Sequence, residues 1–137
     1  MPLGEVPADW RQRRLAAHVS LSPECRFLDV EHLDTREHLR HELASVLTGL
    51  GHTDLDVATV RGGDRRLTRW ISDWAFRYED DDGRLAGVRY ISRLDSRWEC
   101  WAVFDDVELG DEVVRRPILR EDPALLRVAN QYGIRVF

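Results

Sequence analysis

The chain of 137 residues contains no lysine. All 20 of its fixed cations are arginine, so each is a planar fork suited to phosphate or carboxylate. Cysteine is scarce: Cys25 and Cys100 stand in no metal or redox spacing, and two reduced, buried thiols are expected. No apolar run approaches the roughly 18 residues of a membrane span. The start, Met1-Pro2-Leu3-Gly4-Glu5, has neither a basic cluster nor an apolar block, so no signal peptide is read there. A cytoplasmic protein is therefore expected. Basic runs interleaved with aromatics are missing and the net charge is −5, which argues against a general nucleic-acid binder. No glycine-rich nucleotide loop of either standard type occurs.

What is present suits a soluble globular chain: 33% charged and 43% hydrophobic residues, at a length that supports a single domain over 1–137. Its centre is the stretch Gly83 to Phe104, which reads as two strands joined by a short polar turn. Strand side chains alternate faces, so Val88, Tyr90 and Ser92 share one face. The second strand, Trp98 to Phe104, is apolar at nearly every position and predicts a strand covered on both faces. Two hydroxyls on one strand face beside the interior can be held in fixed positions, as a ligand site requires. They are equally compatible with a core tyrosine beside an ordinary strand serine.

The remaining elements follow from periodicity and punctuation. Strands are expected over Leu15–Leu21 and Cys25–Val30. A helix capped at Asp34 or Thr35 carries Leu39, Leu43, Val46, Leu47 and Leu50 as one stripe, with Gly49 and Gly51 as its stop. Residues 52–64 read as a connecting loop. Asp64 then caps a helix with Leu67, Trp70, Ile71, Trp74, Ala75 and Tyr78 at helical spacing. Residues 79–83 make a solvated turn. Glu112–Leu119 reads as an edge strand because it contains Pro117. Asp122-Pro123 opens a helix that ends at Tyr132 before Gly133, and Ile134–Phe137 closes the chain as a strand. Strands and helices mix without regular alternation, which defines an α+β class.

Arg61-Gly62-Gly63-Asp64-Arg65-Arg66 lies at a helix start, where free N–H groups favour anions. Arg65 and Arg66 are candidate phosphate contacts there; a capped turn with solvated arginines is the alternative. His38 and His41 have a metal-ligand spacing but no evident third ligand, so surface histidines and no metal are expected. Asp80-Asp81-Asp82-Gly83 lacks the downstream glutamate of a calcium loop.

The segment Gly87-x-x-Tyr90-x-Ser92-Arg93, followed by Ala102-Val103-Phe104, resembles the RES domain, a family of NAD-consuming toxins. Phe27-Leu28-Asp29-Val30, Leu67-Thr68-Arg69-Trp70 and Asn130-Gln131-Tyr132-Gly133 resemble the family as well. The resemblance implies an ADP-ribosyltransferase-like mixed sheet with flanking helices. It implies NAD as substrate, cleaved at the nicotinamide–ribose bond by hydrolysis or phosphorolysis, and an antitoxin that plugs the pocket. Ser92 falls on the family serine, Tyr90 on the tyrosine before it, and Glu5 near the family glutamate.

The family arginine belongs to a segment upstream of that glutamate, and this sequence has none. The resemblance thus implies a fold incomplete at the N-terminus, completed by another chain or belonging to a longer frame. The alternative is a pseudo-enzymatic module that binds a protein partner and turns nothing over. Missing strands would leave an open sheet edge, so a homodimer or partner complex is expected.

Overall fold

A computed structural model describes residues 4–137. Two compact units divide the described residues: Pro23–Glu108, and 4–22 together with Leu109–Phe137. Helices and small sheets mix, so the α+β class holds.

The central unit is built on a sheet of three strands, β3 (Phe27–Asp29), β6 (Gly87–Ile91) and β7 (Glu99–Val103), in the order β3-β6-β7. β3 runs parallel to β6, and β7 runs antiparallel to it, with Tyr90 opposite Cys100 and Val88 opposite Ala102. Gly87 is required in β6 by close packing. A Cβ there would stand 1.9 Å from the carbonyl oxygen of Ala102 and 2.9 Å from the Phe27 ring.

Helix α5 (Arg65–Arg77) packs on this sheet. Its apolar stripe buries Leu67, Ile71 and Ala75, as the periodicity predicts, but Trp70 of the same stripe is exposed. Asp64 caps it by accepting the Arg66 N–H at 3.0 Å. Leu39 and Leu67, both without exposed surface, anchor a core that also holds Val30, Leu43, Leu47, Leu55, Val60 and Val88. Burying each such leucine contributes about 1.5–3 kcal/mol.

Several expectations change in this unit. The apolar run predicted to be covered on both faces is instead β7, an edge strand whose residues are mostly exposed; Trp101 is 51% accessible. Its aromatic rests on the sheet surface, edge-on to Phe27 at 4.8 Å, rather than beneath a second layer. The long helix over 34–50 is two helices, α2 (Leu33–Glu42) and α3 (Ala44–Leu50), broken at Leu43. The N-cap of α2 is His32, and no side chain caps it; Gly51 does terminate α3 in the left-handed region, at φ 81°. The 52–64 connection contains one helical turn, α4 (Val57–Val60), capped by Asp56. The acidic turn folds as a minimal hairpin, β4 (Glu79–Asp80) against β5 (Gly83–Arg84). Cys25 and Cys100 are free thiols, partly rather than fully buried.

The other unit pairs strands from the two ends of the chain. β1 (Glu5–Val6) lies parallel to β9 (Arg135–Val136), and β2 (Leu15–His18) antiparallel to β8 (Val114–Pro117). The Pro117 strand therefore sits in a two-stranded sheet, at an edge as its proline requires. The short helix α1 (Ala8–Gln12) sends Arg11 to the Phe137 and Ile118 carbonyls. Helix α6 (Pro123–Tyr132) is capped by Asp122, which accepts the Ala124 N–H at 3.0 Å, and it ends at Gly133. Asp122 is buried and keeps its charge because Arg116 bonds it.

Candidate functional site

The central unit holds a cavity of about 320 Å³ between the sheet and α5. Val88, Tyr90 and Ala102 form its sheet wall, and Thr68, Ile71 and Ser72 its helix wall. Alternation along β6 puts Val88 and Tyr90 on this face, and the β6–β7 register brings Ala102 beside Val88. The rim is polar. Arg61 and Gly62 reach it from the α4–α5 connection, and Arg93 from the turn after β6.

The two arginines are differently placed. Arg61 donates through Nε and Nη2 to Glu31, at 2.7 Å for the shortest contact. Glu31 Oε1 also accepts the Ile91 backbone N–H at 3.0 Å. Burial alone would raise the Glu31 carboxyl; the bonds from Arg61 and Ile91 outweigh it and hold the group below its usual value. Glu31 in turn raises the Arg61 guanidinium. Arg61 is thus neutralised. Arg93, by contrast, has no carboxylate partner among the described residues. Its Nη1 lies 3.1 Å from where a Cβ on Gly63 would stand, so Gly63 lets the guanidinium rest against the rim. One uncompensated positive charge, Arg93, lines the same space as Tyr90, Ser72 and the apolar walls. That set favours an anionic ligand with an apolar or ring portion.

The residues read from the sequence are only partly brought together. Tyr90 lines the cavity and is 39% exposed. Ser92 does not line it: its Oγ accepts the Leu94 N–H at 3.1 Å and closes the β6–β7 turn. Arg66 folds back on its own cap, Asp64, whose carboxyl is held far below the usual range by Arg66 and by His52. Arg65 is exposed, and its carbonyl accepts the Thr68 hydroxyl. Neither Arg65 nor Arg66 lines the cavity. Glu5 lies on β1, in the terminal unit. His38 stacks edge-on to Trp74 at 5.5 Å, and no group of metal ligands occurs among the described residues.

Arg61, Arg93, Thr68, Ser72 and Glu31 were not singled out as site residues by sequence. Arg93 adjoins the Tyr-x-Ser motif and Arg61 opens the Gly-Gly turn, so both lay one step from the residues chosen. No family model, curated protein or solved structure matches the chain.

Proposed function

We propose that the Tyr90 cavity binds a phosphorylated nucleoside, that this ligand is NAD, and that the chain acts as a RES-type NAD-degrading toxin. The observation that supports this reading is that Arg93, Tyr90 and apolar walls line one space. Arg93 would take a phosphate, and Arg61, oriented by Glu31, would offer its remaining donor beside it. The volume lies at the lower end of ligand pockets and suits one half of a dinucleotide. Glycosidic cleavage breaks the bond from ribose C1′ to the pyridinium nitrogen; nicotinamide leaves with the electron pair, and water or phosphate adds at C1′. A carboxylate stabilises the oxocarbenium-like state between these steps. The RES resemblance assigns that part to Glu5 and the serine's part to Ser92, neither of which lines the Tyr90 cavity. An ADP-ribosyltransferase-like form of the α+β fold and an antitoxin partner belong to the same proposal.

A second reading, a module that binds ligand or partner without turnover, is favoured by one observation: the Ser92 hydroxyl is committed to a turn. One experiment separates the two. The purified chain is titrated with NAD by calorimetry, and nicotinamide release is followed with and without phosphate. Release supports the enzyme, and phosphate dependence names the acceptor. Binding without release supports the module, and absence of binding rejects the cavity as an NAD site.

A further inference from the structure

The charges that line the Tyr90 cavity are all of one sign. Arg61 and Arg93 stand on its rim, and among the described residues no aspartate or glutamate lines it. Glu31, which holds Arg61, is not part of the lining. Its Oε1 accepts Arg61 Nε and the Ile91 N–H, and its Oε2 accepts Arg61 Nη2. That carboxylate is committed to protein donors, and its side chain is only 12% exposed. The walls are apolar, formed by Val30, Val60, Ile71, Val88 and Ala102. Thr68 and Ser72 add two hydroxyl side chains to the helix wall. Thr68 Oγ1 donates to the Arg65 carbonyl at 3.2 Å, so its remaining capacity is that of an acceptor.

NAD has two unlike ends. Its adenine ring is uncharged, whereas its pyridinium ring carries a positive charge. A positive ring in this cavity would leave water with no carboxylate to pair it, beside two guanidinium groups. An uncharged ring meets only apolar walls and hydroxyls, and its phosphate meets Arg93. We infer that the Tyr90 cavity seats the adenylate half of the dinucleotide and rejects the nicotinamide half. The inference rests on the reading of this cavity as a nucleotide site and adds which end enters it. The pyrophosphate then lies at the arginine rim, and the nicotinamide ribose continues outward beyond it. Ser92, which does not line the cavity, immediately precedes Arg93 in the turn after β6. It belongs to the segment past which the second half of the dinucleotide emerges. Selection of the ligand is thus the work of the cavity, and bond cleavage that of groups outside it.

Titration calorimetry of the wild type with AMP, with nicotinamide mononucleotide and with its reduced form reads the choice. All three carry one ribose and one phosphate, and the two nicotinamide forms differ in ring charge at nearly the same size. AMP is expected to bind at least about tenfold more tightly than the oxidised mononucleotide. The reduced form is expected to regain part of the difference. Ser72→Asp places a carboxylate on the cavity wall; with an unchanged circular dichroism spectrum, it is expected to weaken AMP and strengthen the oxidised mononucleotide. The wild-type comparison decides even where that variant does not fold. An oxidised mononucleotide bound as tightly as AMP overturns the inference and leaves the nucleotide site standing. A reduced form bound no better than the oxidised one overturns it too, as does a folded Ser72→Asp variant with unchanged AMP affinity. The expected preference without nicotinamide release from NAD supports the inference and rejects the toxin. Binding of none of the three rejects the inference together with the nucleotide site.

Discussion

Glu31 accepts Arg61 on both carboxylate oxygens and takes the Ile91 N–H on Oε1. One side chain thereby ties the end of β3, the α4–α5 connection and the end of β6, the three segments that frame the cavity. Its folded carboxyl lies below the ordinary glutamate value, so it contributes stability while ionised. That contribution is present above the unfolded value of about 4.3 and is lost as pH falls through the lower, folded value. Glu31→Gln is expected to reduce stability above that region and to converge on wild type below it. Urea midpoints measured from pH 7 down to the acid limit test this; a gap that widens on acidification refutes it.

The uncompensated charge at the rim makes a sharper expectation for ligand binding. Arg93→Ala is expected to weaken nucleotide affinity about tenfold, the loss of one charge-assisted hydrogen bond. Arg65→Ala combined with Arg66→Ala is expected to leave it unchanged, since neither side chain lines the cavity. Calorimetric titration with NAD and with AMP reads both, and equal effects of the two variants would contradict the placement of the anion at Arg93.

Packing predicts effects of opposite sign at two glycines. Gly87→Ala drives a methyl into the Ala102 carbonyl, a backbone atom that cannot rotate aside. It is expected to cost about 2 kcal/mol or more. Gly49, inside α3, has nothing within 4 Å of a Cβ position. Gly49→Ala is expected to stabilise by about 0.5–1 kcal/mol through helix propensity. Thermal unfolding of the two variants should move in opposite directions.

The core gives a scale for these effects. Leu67→Ala, at a side chain with no exposed surface, is expected to cost about 3 kcal/mol. A much smaller loss in denaturant unfolding would mean that the site collapses around the missing atoms.

How much of this was legible follows from which residues carry a repeat. α5 was readable because Leu67, Ile71 and Ala75 recur at helical spacing behind a capping aspartate, and α6 because Asp122, Pro123 and Gly133 mark its ends. The break at Leu43 was not, since neither glycine nor proline stands there and the leucine stripe runs on through it. β7 misled because an unbroken apolar run looks the same whether both faces are covered or an aromatic lies across an open one. Tyr90 was found by alternation. Arg61, Arg93 and Glu31 sit in turns, where no period applies and only the fold decides which charges meet.

The pair of hydroxyls that sequence put on one face is where function can be apportioned. Tyr90 lines the cavity, whereas the Ser92 Oγ accepts the Leu94 N–H. Tyr90→Phe removes a donor from the ligand's surroundings and is expected to weaken nucleotide binding about fivefold, the scale of one neutral hydrogen bond. Ser92→Ala removes a turn bond, so it should lower thermal stability slightly and leave affinity unchanged. A Ser92→Ala variant that keeps NAD affinity but loses nicotinamide release would place the hydroxyl in the reaction and require the turn to open around bound ligand. Measuring affinity and release on both variants therefore separates a hydroxyl that holds the turn from one that serves the chemistry.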